Sequence, residues 1–235
     1  MQVEQAITKE IKEYALDLGA DLVGIADLER LKGITTVPAN LLDGFTRAVV
    51  VAFQVSPTIF EQIESEPTPL YIHQYAAVNL VLDHINLMLQ SKVLNLGYKA
   101  LALPASQTVD RINWLGHIST KAVAKAAGLG WQGKSLLLIN PKYGPRVRLS
   151  CLLTNAPLVP DQPIPNRCGN CTKCRDACPA NAIHGASWDD HPNTREEAVD
   201  LERCVNRLSH IAEQQGREAL ICGVCIKACP WGKVR

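Results

Sequence analysis

Eight of the nine cysteines lie between Cys168 and Cys229. Thiolates are soft ligands, and a dense, repeated spacing of them points to metal–sulfur chemistry. The first run is Cys168, Cys171, Cys174 and Cys178, closed by Pro179. The second is Cys222, Cys225 and Cys229, closed by Pro230, with Cys204 standing upstream to complete a set of four. Two cubane clusters need eight thiolates, and in the bacterial ferredoxin arrangement the fourth cysteine of a run ligates the other cluster. Applied to this spacing, Cys168, Cys171 and Cys174 share one [4Fe–4S] cluster with Cys229, and Cys222, Cys225 and Cys204 share the second with Cys178. Such a chain handles electrons singly, at potentials set by the protein around each cluster.

Zinc would want two pairs of ligands separated by a spacer, whereas three cysteines at intervals of three and a fourth before proline suit a cubane. Disulfides would require an oxidising compartment. Residues 1–15 are polar with helical spacing and carry no apolar signal core, so a cytoplasmic protein is expected. Cys151 stands apart in the apolar stretch Leu149–Leu153 and reads as a buried, inert thiol.

The elements that must position these thiolates are legible in outline. Val3, Ile7, Ile11, Tyr14, Ala15 and Leu18 fall at helical spacing and Gly19 stops the run. Asp21–Ala26 and Ala48–Phe53 read as buried strands. The acidic segment from Pro57 to Pro69 reads as a solvated loop, and a long helix is expected over His73–Leu96. A strand at Tyr98–Leu103, a helix at Ile118–Ala127, and strands at Ser135–Ile139 and Val147–Thr154, the last two as a closing hairpin, complete an α/β layer domain. Four prolines between Pro157 and Pro165 mark a boundary, giving domains at 1–160 and 161–235. Basic and acidic residues balance, 14 against 13 before Asp161 and 10 against 10 from there on, so no electrostatic footprint for nucleic acid is visible. Lys142, Arg146 and Arg148 read as a solvated turn, and the apolar runs are too short to span a bilayer.

Gly128, Gly133, Lys134 and Ser135 match the spacing of a phosphate-binding loop. The order here is helix, loop, strand, the reverse of what aims backbone amides at a phosphate. Glycines still permit a flat cofactor to approach the backbone closely.

The stretch Ala127–Lys134, the Leu-Leu-Ile-Asn strand after it and the cysteine runs ending in Cys229-Pro230-Trp231 resemble the epoxyqueuosine reductase family, which is related to the reductive dehalogenases. The resemblance covers nearly the whole chain. It implies a cobalamin-domain-like α/β (α+β) layer fold followed by a double-cluster, ferredoxin-like domain. It also implies an oxidoreductase in which the clusters feed a cobalamin from an external low-potential electron donor, with Gly128, Gly130, Trp131, Gly133 and Lys134 lining the corrinoid. The family's proton-donating aspartate has no unambiguous counterpart in Leu103–Arg111; Asp110, from a shifted position, and Tyr75, by analogy with the dehalogenases, are the candidates, beside His117. The family's enzymes continue into a helical-repeat domain that helps hold tRNA, whereas this sequence ends at Arg235 near neutrality, so tRNA is not the expected substrate. A small-molecule or protein partner is expected instead. The alternative functions are an electron-transfer module and a corrinoid-reducing protein without substrate chemistry of its own.

Overall fold

The β-branched runs pair as a sheet because both of their faces find apolar cover. The computed structural model describes residues 2–233. In chain order it contains helix α1 (Gln2–Asp17), strands β1 (Leu22–Asp27) and β2 (Arg47–Gln54), helices α2 (Pro57–Glu61) and α3 (Pro69–Asn95), and strand β3 (Ala100–Leu103). Helix α4 (Thr120–Ala126) and strands β4 (Trp131–Gln132), β5 (Leu138–Ile139) and β6 (Val147–Thr154) follow. Helices α5 (Lys173–Asp176), α6 (Leu201–Gln214) and α7 (Val224–Ala228) lie in the cysteine-rich part.

The chain divides into two compact units that are not consecutive stretches of sequence. The first takes residues up to Gln54, Ala77–Leu129 and Arg148–Ile164. The second takes Val55–Ala76, Gly130–Val147 and the residues from Pro165 onward.

The main sheet runs β1-β2-β6-β3, with β1 antiparallel to β2 and β3 antiparallel to β6. Alternate residues of a strand point to opposite faces. Ile25, Val49, Val51 and Leu152 accordingly join Ile11 and Ala15 of α1 and Val78, Leu82, Ile85, Leu89 and Val93 of α3 in one core. The other face meets α4, where Gly24 lies against the carbonyl of Ala127 and the side chain of Leu129. Any β-carbon at position 24 would collide there, which is why the strand carries glycine. Cys151 is fully buried in β6, and burial pushes its thiol up to about 12.

Two expectations change. The acidic segment after Val55 is not a solvated loop: α2 forms inside it, and Ile59, Phe60 and Ile63 are buried with Tyr71, Ile221 and Val224. The three apolar side chains outweigh the glutamates, which stay at the surface. The closing hairpin does not form. Only Leu138–Ile139 is extended, and it pairs with Trp131–Gln132, while β6 runs inside the main sheet. Helix α3 exposes Leu80, Leu87 and Leu94 as well as burying its opposite face, so its apolar residues lie all round and give little periodic contrast.

Candidate redox centre

The second unit holds all eight clustered cysteines, each partly buried and none in a disulfide. Cys174 sits in α5, Cys204 in α6 and Cys225 in α7, with the remaining five in the turns between helices. Asp200 starts α6 by accepting the N–H of Arg203, which sets Cys204 in the first turn. Gly223, at φ 87°, supplies the left-handed turn into α7, and a β-carbon there would meet Ile63 and Tyr71.

The sulfurs form two neighbourhoods that overlap at Cys174. Burial, followed by the sulfurs of Cys222, Cys204, Cys174 and Cys178, pushes the Cys225 thiol far above its ordinary range. Burial and then the nearby Cys168 and Cys171 raise Cys174. Burial pushes Cys229 up to about 11, opposed by the Trp231 backbone N–H and Arg146, with Cys168 and Cys174 adding to the rise. Free thiols crowded in low dielectric resist ionising; a metal–sulfur cluster relieves that by binding the thiolates. Among the described residues no three His, Cys, Asp or Glu side chains converge on one ion position. A cubane does not ask for that, because its four thiolates bind four different irons.

Around Cys178, Cys204 and Cys225 the packing is apolar, from Ala182, Ile183, Ala198, Val199, Leu136 and Trp188. The backbone N–H of Ala182 donates to Cys178 Sγ at 3.4 Å. Around Cys168 and Cys229 it is more polar. Trp131 is wholly buried, stands edge-on to Trp231 with ring centroids 4.9 Å apart, and donates its indole N–H to Cys168 Sγ at 3.4 Å. Arg146 is 3% exposed and donates to the carbonyls of Trp231 (2.6 Å), Cys229 (3.3 Å) and Lys227 (3.4 Å).

That arginine was hidden in the sequence: the solvated-turn reading is corrected for Arg146 and Arg148, while Lys142 is exposed as expected. Arg146 is in the core of the second unit, and Arg148 reaches Asn79 Oδ1 at 3.0 Å and the Ala105 carbonyl. The Asn140-Pro141-Lys142-Tyr143-Gly144-Pro145 turn was the available signal: Gly144, at φ 59°, lets the backbone of Trp231 approach, and the guanidinium follows.

The five residues of the glycine-rich loop are placed as follows. Gly128 belongs to the first unit and faces the carbonyl of Gln162; Gly130 abuts the Ile139 carbonyl; Gly133 abuts the Ile139 side chain, with Cys168 Sγ 3.6 Å from where its β-carbon would be. The close approach each glycine permits is therefore an approach of protein to protein. Lys134 is 5% exposed, and among the described residues its ammonium has no hydrogen-bond or ion-pair partner.

Asp110 caps its own tight loop: Oδ1 accepts the N–H groups of Ile112 and Asn113, and Oδ2 accepts from the Asn113 amide. Tyr75, in the second unit, packs against the apolar cluster that contains Ile59, Phe60 and Tyr71. His117 Nδ1 lies 2.7 Å from the Val37 carbonyl. No helix among the described residues is long and apolar enough to cross a membrane.

Residues 167–232 match a 4Fe-4S double cluster binding domain. An epoxyqueuosine reductase of Vibrio cholerae is 27% identical over 97% of this chain and 68% of its own length. A reductive dehalogenase, whose structure was described as suggesting a mechanism for B12-dependent dehalogenation, superposes with a TM-score of 0.73, 23% identity, 98% of this chain and 32% of its own. An epoxyqueuosine reductase bound to an epoxyqueuosine-modified tRNA-Tyr stem loop matches with a TM-score of 0.60, 24% identity, 97% of this chain and 65% of its own. The chain thus spans about one third to two thirds of the proteins it matches. The expectation against tRNA stands opposite a relative that matches nearly all of this chain and was itself solved holding a tRNA stem loop. This is an iron–sulfur protein with a double [4Fe–4S] cluster domain, mixed α/β in fold, and epoxyqueuosine reductase-like along almost its whole length.

Proposed function

We propose that this chain is a corrinoid-dependent reductase in which two [4Fe–4S] clusters pass electrons singly to a cobalamin held with the help of the first unit. In this reading Cys168, Cys171, Cys174 and Cys229 hold one cluster and Cys178, Cys204, Cys222 and Cys225 the other. The observation that carries it is the exchange of partners between the two cysteine runs. Cys229 of the second run neighbours Cys168 and Cys174 of the first, and Cys178 of the first run, with Cys174 beside it, neighbours Cys225 of the second. Linear neighbours alone would not give that crossing.

Lys134 supports the corrinoid part, because its side chain is largely buried and its ammonium, with no protein partner among the described residues, is left to a bound group rich in carbonyl and phosphate oxygens. A bound corrinoid would supply low-valent cobalt for attack on an electrophilic substrate, while the protein orients and insulates it. The Asp110 carboxylate is occupied as an acceptor in its own loop, so proton delivery is assigned to the Tyr75 phenol. A modified nucleoside in a tRNA stem loop is the substrate class, by likeness to the relative that binds one. An external low-potential donor supplies the electrons.

A second reading, an electron-transfer module, is favoured by one observation: Gly130, Trp131 and Gly133 are engaged by protein. Anaerobic reconstitution with iron, sulfide and cobalamin, followed by desalting and metal counting, separates the two. The reductase predicts about eight irons and one cobalt per chain, and turnover of an epoxyqueuosine-bearing stem loop with a chemical reductant. Iron without cobalt would establish the module instead.

A further inference from the structure

The two thiol neighbourhoods differ in what surrounds them. Cys168 accepts a hydrogen bond from a buried indole, and Cys229 lies beside a buried guanidinium. Arg146 has no carboxylate within ion-pairing distance among the described residues; it is solvated by three backbone carbonyls, two of them at the C-terminal end of α7 and beyond. Those carbonyls carry only partial negative charge, and Glu61 acts on Arg146 only from beyond ion-pairing distance, so the guanidinium keeps most of its field for the nearby Cys229. A four-thiolate cubane is anionic and becomes more so on reduction. A buried cation and an N–H donor at its ligands both favour the reduced, more negative state. The neighbourhood of Cys178, Cys204 and Cys225 has mainly alanine, valine, isoleucine and leucine around it, with Trp188 and a backbone N–H on Cys178, and of the other set only Cys174 shares that apolar packing. Apolar surroundings disfavour added charge.

We propose that Trp131 and Arg146 make the two clusters unequal, so that the cluster at Cys168, Cys171, Cys174 and Cys229 has the higher reduction potential and is the resting place of the first electron. The inference rests on the two-cluster reading and its crossed ligand sets. Electron transfer inside the unit then runs downhill from the cluster at Cys178, Cys204, Cys222 and Cys225. That cluster is oxidised by one electron as the other is reduced by one, with no proton moved, and an external one-electron reductant refills it. Trp131 and Arg146 are positioning residues in this scheme: they touch ligands, not substrate.

The test is an anaerobic redox titration of the reconstituted full chain, followed by the paramagnetic resonance signal of reduced clusters, with iron counted in every sample. Trp131→Phe keeps an aromatic ring against Trp231 and removes only the N–H. Arg146→Met removes the charge, and Arg146→Lys restores it. Trp131→Phe and Arg146→Met are each expected to lower one potential only, shifting the sharing of the first electron between the clusters about tenfold, equivalent to about 59 mV for a one-electron couple. Arg146→Lys should return most of that shift. A merely structural role would change iron content or stability and leave the potentials in place. Should Arg146→Met lose iron, Trp131→Phe decides. Sharing of the first electron that stays within threefold of the parent in every iron-replete variant would overturn the proposal. A parent chain holding about four irons or fewer would overturn the two-cluster reading itself, and the order of potentials with it.

Discussion

Lys12 and Asp161 meet at 2.7 Å, the ammonium donating to both carboxylate oxygens, and Oδ2 also accepts the backbone N–H of Ile25 at 2.8 Å. One side chain from the proline-rich segment thus ties α1 and β1 together, while Arg30 donates to its backbone carbonyl. Both members of the ion pair are about one-third exposed, so solvent weakens the Coulomb part and the backbone hydrogen bond remains the firmer contribution. Asp161→Ala is expected to lower the unfolding free energy by about 1–2 kcal/mol. Denaturant titration of the parent and variant checks this, and an unchanged midpoint would show that the segment is held by its other contacts.

A buried amide links α3 to the sheet. Asn86 Nδ2 lies 2.9 Å from the Leu103 carbonyl, 2.9 Å from Ser150 Oγ and 2.8 Å from the Cys151 carbonyl, with the residue 1% exposed. Asn86→Asp replaces the donor by a carboxylate facing acceptors in an apolar core, and a loss of about 3 kcal/mol or more is expected. Asn86→Leu, which leaves two carbonyls and a hydroxyl without this donor, should cost less than the aspartate. Thermal unfolding of the three chains gives the order, and equal costs would mean water replaces the amide.

How much of this was readable in advance depended on the range of the interaction. Ile11 and Ala15, Val49 and Val51, and the run through β6 announce their elements because burial of a helix stripe or a two-faced strand repeats at a local period. The cysteine runs were readable because ligand spacing is a local property too. Ile59, Phe60 and Ile63 were masked by the glutamates between them, and β4 with β5 is a two-residue ladder, too short for periodicity to register. Arg146 was missed because a charged residue in a turn reads as solvated; only the carbonyls of Lys227, Cys229 and Trp231, more than eighty residues away, reveal what it is buried for. The interleaving of the two units has the same cause, since no local pattern records which distant segments pack together.

Gly130 separates a packing role from a cofactor role. A β-carbon there would collide with the backbone of Ile139, which cannot swing aside as a side chain can. Gly130→Ala is therefore expected to destabilise the second unit by about 2 kcal/mol or more and to reduce iron uptake on reconstitution. If the variant kept its stability and iron and lost only cobalt, the glycine would be serving a bound corrinoid.

The buried thiol of Cys151 carries a pH prediction whose sign is fixed by its environment. Burial raises its folded-state value from 9.0 to about 12, so below pH 9 the thiol is neutral in both folded and unfolded chains and costs nothing. Above pH 9 the unfolded chain releases this proton while the folded chain keeps it, so stability falls between about pH 9 and 12. Cys151→Ala removes that slope, at the expense of a small cavity in β6, and should leave iron content unchanged because Cys151 lies outside both thiol neighbourhoods. Cys171→Ala, in contrast, should lose about four irons, one cluster's worth. Stability measured across pH 8–11 for the parent and Cys151→Ala, with iron counted for both cysteine variants, tests the pair of statements together. A parallel fall in the two stability curves would show that another group titrates there. Loss of a cluster from Cys151→Ala would make it a ligand in place of Cys204.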